Sequence, residues 1–214
     1  TSTLNMKIKY LYSHLNALEG LNAHYPERWN EIQNIIENVD ASTLITKKSK
    51  EKTMLGRLVY SPKEINACFK KEFGDRGWME NRHNYYVTSD EKHTRDIADL
   101  DYDDQGKYLQ ISGINSKKYF KSYHQIDFVL DKIAIELQLG KYAFIEFDLF
   151  VKHLRYYEKR DIDYAIEIVP TKNFQSRMSS GPGYYERALT HIIRQGRGRP
   201  ALPFILLGIE PENL

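Results

Sequence analysis

The clearest rhythm of apolar and polar positions lies in the second half of the chain. Over residues 133–139, Ile133, Ile135, Leu137 and Leu139 fall on one face, and Ala134, Glu136 and Gln138 on the other. This period-two alternation predicts a strand. Together with a second strand over 126–129 it predicts a hairpin that turns tightly at Leu130-Asp131-Lys132. Phe144, Phe147, Val151 and Leu154 stand at helical spacing and predict a helix over 144–158. Residues 164–169 form a nearly continuous apolar run, as a strand buried on both faces does. A helix over 184–194, carrying Ala188, Leu189, Ile192 and Ile193, and a buried strand over 204–209 complete the series. Strands alternating with helices imply an α/β fold, with a mixed sheet that is parallel in part and covered by helices on both faces.

The first half is less regular. Residues 26–39 read as a helix, with Pro26 in its first turn and Trp29, Ile32, Ile36 and Val39 on one face. A polar, lysine-rich link covers 43–52 and includes Lys47, Lys48, Lys50 and Lys52. Ser61-Pro62-Lys63-Glu64 is a capping box that opens a helix through about residue 73, with Ile65, Cys68, Phe69 and Phe73 inward and Gly74 and Gly77 ending it. Residues 80–122 are rich in charge and tyrosine, with an acidic patch at Asp99, Asp101, Asp103 and Asp104. They are expected to be an inserted surface subdomain, and an oligomer contact or an arm over a ligand is the alternative.

Composition narrows the class. With 214 residues, 41% hydrophobic and 28% charged, the chain suits one folded domain, over 6–214. Residues 1–5, ahead of Met6, are expected to be a remnant of expression. No apolar run reaches the roughly 18 residues of a membrane span, and the first 30 residues lack the order of a signal peptide. A single cysteine excludes an internal disulfide, which points to a reducing, cytoplasmic setting. Paired-cysteine and HExxH spacings are absent, which argues against zinc. Lys plus Arg number 31 and Asp plus Glu 29, a balance that neither demands nor excludes nucleic acid, because a DNA enzyme needs positive charge only in its cleft. Sixteen tyrosines suit a large polar interface.

The candidate chemistry lies on the hairpin. Glu136 and Gln138 share a face of a strand whose other face is core. An ionised carboxylate there is costly without a cation or donor, and the strand offers no lysine or arginine. With a tight turn Asp127 comes to lie beside Glu136, and a divalent metal between the two relieves their repulsion. Oxygen donors of this kind suit Mg²⁺. The plain alternative makes Glu136 an edge-strand glutamate facing water, with Gln138 as its surface partner.

In Gln125-Ile126-Asp127-Phe128 followed by Ile135-Glu136-Leu137-Gln138, the sequence resembles the metal site of type II restriction endonucleases of the BglII and BstYI group, within the PD-(D/E)xK nuclease superfamily. The resemblance continues through Tyr12-Ser13-His14-Leu15-Asn16, Trp29-Asn30-Glu31-Ile32, Gly140-Lys141-Tyr142, Asp148 to His153, Met178-Ser179-Ser180-Gly181, Tyr184-Tyr185-Glu186 and Ile193 to Gly198, and is thinnest over 80–122. It implies a three-layer restriction-endonuclease-like core and a Mg²⁺-dependent homodimer. Such an enzyme cuts both strands of a short palindromic double-stranded DNA site, six bases with a GATC centre, and leaves 5′ overhangs. In a cell it acts beside a methyltransferase that shields the host's own copies. The resemblance makes Asp127 and Glu136 metal ligands, with the Leu137 carbonyl as a third, and puts Gln138 where most of the superfamily has lysine. That glutamine, and Ile126 in place of the motif's proline, depart from the superfamily, although glutamine matches the BglII-like group.

An amide is no general base near neutral pH, so Gln138 is expected to orient a water or a metal ligand. Glu31 is a candidate to support a second metal through water, or else a plain surface glutamate. By resemblance Lys141 and Ser180 read bases, with Ser179 beside them and Arg177 serving base or phosphate. Arg194 and Arg197, with Arg199, are candidates for phosphate contact, or for satisfying a helix C-terminus. The rival readings are another PD-(D/E)xK nuclease, of the repair or junction-cutting kind, and a catalytically inactive DNA-binding protein on the same fold.

Overall fold

The computed structural model describes residues 4–178 and 181–214. The chain divides into two compact units, one made of Thr1–Glu80 with Ile126–Leu214 and the other of Asn81–Gln125. In chain order the elements are β1 (Met6–His14), α1 (Ala17–His24), α2 (Pro26–Glu37), the short strands β2 (Lys47–Lys48) and β3 (Leu58–Val59), and α3 (Pro62–Gly74). Then come β4 (Met79–Thr88), α4 (Glu91–Ile97), α5 (Tyr102–Ile111), β5 (Tyr119–Leu130) and β6 (Ile133–Leu137). One long helix follows in three parts: α6 (Ala143–Phe147), a π-helical stretch (Asp148–His153) and α7 (Leu154–Glu158). The chain ends with β7 (Tyr164–Pro170), α8 (Lys172–Gln175), α9 (Tyr185–Arg194) and β8 (Phe204–Pro211).

The main sheet has the order β1-β8-β7-β6-β5-β4. β6, β7 and β8 are parallel neighbours, while β1 pairs antiparallel with β8 and β5 with β6. This is the mixed sheet that the alternation of elements predicts. The β5–β6 hairpin closes through Asp131 and Lys132, both with positive φ, the two-residue turn whose twist matches the flanking strands.

The period-two pattern of β6 and β7 sorts their side chains onto two cores. Ile133, Ile135, Leu137, Ile166 and Ile168 join Trp29, Ile32, Ile36, Ile65, Phe69 and Phe73 of α2 and α3. On the opposite face Ala134, Ala165 and Val169 meet Ile145, Leu149 and Tyr156 of the long helix and Ala188 and Ile192 of α9. α2 and α3 thus cover one face, and the long helix and α9 the other. α3 starts as its capping box dictates, with the Ser61 hydroxyl accepting from Glu64 N at 3.4 Å.

The structure differs from the sequence reading at several places. β1 carries no expectation of its own, although Met6 and Ile8 alternate with Lys7 and Lys9; a register shift between Ile8 and Tyr10 interrupts that signal. On α9, Ile193 is 61% exposed rather than inward. On the long helix the inward residues are Ile145, Leu149 and Tyr156, whereas Phe144, Phe147 and Val151 are 48%, 43% and 38% exposed. The face taken as core is therefore largely the outer one.

The Asn81–Gln125 unit has its own internal order. Buried Gln105 accepts from Tyr86 N at 2.8 Å and donates to Ile97 O at 2.9 Å. Tyr86 stacks on Tyr102 at 5.0 Å, and Arg82 lies over the Tyr123 ring at 3.9 Å. Asp103 and Asp104 of the acidic patch occupy the first turn of α5, where negative charge complements the helix dipole.

Candidate active site

The parallel strands carry acidic residues on the face beneath the long helix. Glu136 and Glu167 are register partners on β6 and β7, so their side chains emerge side by side on the same face. The last β5–β6 ladder pair is Phe128–Ile135, and the next positions across the hairpin are Asp127 and Glu136. Leu137 N donates to Asp127 Oδ2 at 3.4 Å, which holds the aspartate against the Glu136–Leu137 segment. Asp127 is half-buried, whereas Glu136 and Glu167 are buried.

The π-helical stretch presses further ionisable groups onto this row. Asp148, Lys152 and His153 all lie within it. In an α-helix, residues five apart stand about 140° apart around the axis. The i→i+5 bonding of a π turn instead brings residue 153 back over residue 148, so Lys152 and His153 both join Asp148 on the inward side. Lys152 Nζ pairs with Glu136 Oε1 and, at 2.8 Å, with Asp148 Oδ1. Gln138 Nε2 donates to Asp148 Oδ2 at 2.6 Å, and Gln138 Oε1 accepts from Gly140 N at 2.9 Å. His153 Nε2 lies 3.3 Å from Glu167 Oε2, and Glu167 and Asp148 share a hydrogen bond.

Burial governs the protonation of the cluster. It raises Glu136 well above the usual carboxylate range, the nearby charges of Asp127 and Asp148 add to the shift, and Lys152 opposes it. Burial, then Asp148 and Glu136, raise Glu167 well above its ordinary value. Asp148 is raised by burial against the pull of Lys152 and Gln138. Burial works against the Lys152 ammonium, but Glu136 and Asp148 outweigh it and push its pKa up. His153, fully buried beside Lys152, is pushed down to about 3 and stays neutral.

The oxygen donors fit a divalent cation of the Mg²⁺ type. Among the described residues no three His, Cys, Asp or Glu side chains form a metal-binding group. Mg²⁺ characteristically uses one or two carboxylates and keeps several waters. Asp127, Glu136 and the Leu137 carbonyl would make such a set, and the mutual repulsion of Asp127 and Glu136 is what a cation would relieve.

The loop after β6 meets the loop before α9. Gly183 N donates to Gly140 O at 3.0 Å, and Lys141 bridges Pro182. Exposed Lys141 therefore stands beside Pro182, while Ser179 and Ser180 lie outside the described residues. Arg177, also exposed, passes its carbonyl to Tyr60 N at 3.0 Å. Gly183 has no room for a side chain, since a Cβ there would stand 2.4 Å from Ile145 Cδ1 and 3.0 Å from Tyr142 Cα.

One set of candidates is not brought to this end of the sheet, and Glu31 is held by partners of its own. β7 and β8 are parallel neighbours, so the chain between them returns to the end where the strands begin. α9 starts beside Gly208 and runs back, which leaves Arg194 and Arg197 at the far end, exposed. Glu31 is engaged by its own surroundings: Trp78 Nε1 donates to Oε1 at 2.7 Å and Arg28 Nη1 to Oε2 at 3.1 Å.

Glu167, Asp148 and Lys152 are the residues that the sequence reading missed. The signal for Glu167 is its place in the centre of an apolar run, because a glutamate inside a strand buried on both faces must have a partner.

The family model for the restriction endonucleases BglII and BglIII matches residues 10–209. The fold is similar to that of restriction endonuclease BglII complexed with a DNA 16-mer, with a TM-score of 0.59 and 18% identity over 96% of this chain and 76% of that one. It is also similar to free BglII, with a TM-score of 0.53 and 17% identity over 96% of this chain and 79% of that one. No curated protein sequence matches the chain.

Proposed function

The chain belongs to the BglII/BglIII restriction endonuclease family, as a type II site-specific deoxyribonuclease, and from that premise we propose that it is a Mg²⁺-dependent homodimer cutting both strands of a palindromic six-base DNA site with a GATC centre, leaving 5′ overhangs. The observation that carries the reading is Asp127 held against the Glu136–Leu137 segment just beyond the last pair of the hairpin ladder. A divalent cation bound there supplies acidity to water and positive charge to the scissile phosphate.

The chain's own residues have separable parts. Asp127 and Glu136 hold the cation, with the Leu137 carbonyl as a third ligand. Gln138 has no proton-accepting power near neutral pH, so it acts by position. Its amide ties Asp148 to the backbone of Gly140 and fixes the end of β6 relative to the loop carrying Lys141. Lys141 and Ser180 read base edges, with Ser179 and Arg177 flanking them. The bridge between Lys141 and Pro182 supports this pairing, because it sets Lys141 against the loop that precedes α9. Arg194 and Arg197 have no part in this reading.

A palindrome presents two equivalent half-sites, which a two-fold protein matches. Exposed Phe144, Val151 and Ile193, on the outer side of the long helix and α9, support a second copy as their cover. Among the described residues no helix is long and apolar enough to cross a membrane, and we place the enzyme in the cytoplasm with the DNA that it cuts.

Digestion of a sequenced plasmid with Mg²⁺, followed by mapping of the ends, tests the assignment. Discrete fragments with 5′ extensions at one palindrome are expected, and Asp127→Asn is expected to abolish them. Ragged degradation, or undiminished cutting by Asp127→Asn, refutes it.

A further inference from the structure

The reaction proposed above gives the buried charge of Lys152 no task. Lys152 is on the π-helical stretch, with a side chain only 14% exposed. Lysine is seldom so buried unless paired, and this one is paired twice. Its ammonium pairs with Glu136 Oε1 and with Asp148 Oδ1, the latter at 2.8 Å. The two carboxylates differ in how they are held. Asp148 is anchored independently by Gln138 Nε2 at 2.6 Å and by Glu167. Glu136 is on the strand, beside Asp127.

Around Lys152 stand Glu136 and Glu167 from the sheet and Asp148 and His153 from its own helix, and Asp127 of β5 lies beside Glu136. The strand position two residues after Glu136 contributes an uncharged amide, Gln138. The positive charge delivered to the acidic row thus comes from the helix above the sheet and not from the strand itself.

We propose that Lys152 is the resident counter-ion of the metal-free site: it holds Glu136 in place until a divalent cation arrives, then yields that carboxylate and stays on Asp148. The inference rests on the reading of Asp127 and Glu136 as metal ligands. A compact point charge on a flexible four-carbon stem suits this exchange. Because Asp148 is fixed by other bonds, the ammonium keeps one partner while it gives up the other, so neither charge is left buried alone. Lys152 is on this account a positioning residue. It preserves the geometry of the ligands and also competes with the metal for one of them.

The test uses the full chain as wild type, Lys152→Met, Lys152→Arg and Asp127→Asn, each titrated with Mg²⁺ by calorimetry and followed by thermal unfolding. Lys152→Met is expected to lower Tm in metal-free buffer, to show a larger Mg²⁺-induced rise in Tm than wild type, and to bind Mg²⁺ at least about tenfold more tightly, which is about 1.4 kcal/mol. Lys152→Arg, which keeps the charge, is expected to stay near wild type. An ion pair that only supports the fold lowers Tm equally at every Mg²⁺ concentration and leaves Kd unchanged, and that result overturns the inference. If Lys152→Met does not fold without metal, the double variant Lys152→Met/Glu136→Gln decides: recovery of the fold supports the counter-ion role and continued failure overturns it. Mg²⁺ binding weakened by Asp127→Asn but indifferent to Lys152→Met sinks this inference alone. Wild-type Mg²⁺ binding that Asp127→Asn does not weaken sinks the ligand assignment and this inference with it.

Discussion

Replacing Glu167 by glutamine is expected to cost little near pH 5 and to become progressively favourable, relative to wild type, as the pH rises. Glu167 is fully buried on β7 beside Glu136, and burial with Asp148 and Glu136 nearby raises its pKa well above the usual range. The folded protein therefore keeps this proton after the unfolded chain, with a glutamate pKa of about 4.3, has lost it. Stability then falls with rising pH, because the native state binds more protons than the unfolded state, at up to about 1.4 kcal/mol per pH unit. The loss begins near the unfolded value and stops once the pH passes the folded one. Glutamine cannot ionise, and its amide keeps a donor toward Asp148 and an acceptor toward His153 Nε2, 3.3 Å away, while adding one further N–H. Across two pH units within that window Glu167→Gln should gain about 2.7 kcal/mol on wild type, an upper bound because Glu136 and Asp148 respond to the same change. Glu167→Ala, which opens a cavity and removes a partner of Asp148, should instead cost about 3 kcal/mol or more. Urea unfolding of the three proteins at pH 5, 6 and 7 measures this. Parallel pH curves for wild type and Glu167→Gln, or a loss above about 2 kcal/mol for Glu167→Gln at every pH, would refute the claim that this carboxyl is buried in its neutral form.

Other substitutions separate support of the fold from the chemistry. Glu31→Ala removes the acceptor of the Trp78 indole and of Arg28 and should lower stability by about 1–2 kcal/mol; a change in the Mg²⁺ concentration for half-maximal cutting would restore Glu31 to the metal site. Gly183→Ala drives a Cβ against Ile145 and the Tyr142 backbone and should part the paired loops, lowering single-turnover cutting at least about tenfold, since misplacements of about 1 Å carry such costs. An unaltered rate would show that the loop pairing does not position the DNA. Val151→Asp with Ile193→Asp puts charge on the exposed apolar side of the two helices and should shift sedimentation toward monomer, and an unmoved dimer would place the interface elsewhere.

The β-strand pattern made the sheet legible. Alternation in β6 and the apolar run of β7 give both strands their place, and the alternation of strands with helices gives the parallel portion. β1 escaped because its alternation is short and broken by the register shift near Lys9. Asp127 and Glu136 were legible as a pair because a two-residue turn fixes which positions face each other. Asp148 and Lys152 were not, since an acid and a lysine four apart on a helix are the ordinary mark of a solvated face. Ser179 and Ser180 lie outside the described residues.

The long helix shows why apolar periodicity fails at such a site. Its most hydrophobic stripe includes Phe144, Phe147 and Val151, and a rule that turns the most apolar stripe inward must choose that one. The structure turns inward a face on which Ile145, Leu149 and Tyr156 are interrupted by Asp148, Lys152 and His153. A demand of the sheet produces this inversion. The acidic row on β6 and β7 needs a cation and hydrogen-bond partners within its own layer, and the overlying helix supplies them through Asp148, Lys152 and His153. The π turn lets that helix deliver its charged groups on one side without giving up the flanking apolar contacts. The outer stripe leaves Phe144 and Val151 48% and 38% exposed, and an apolar face that core packing does not require is what a two-fold contact between copies would use.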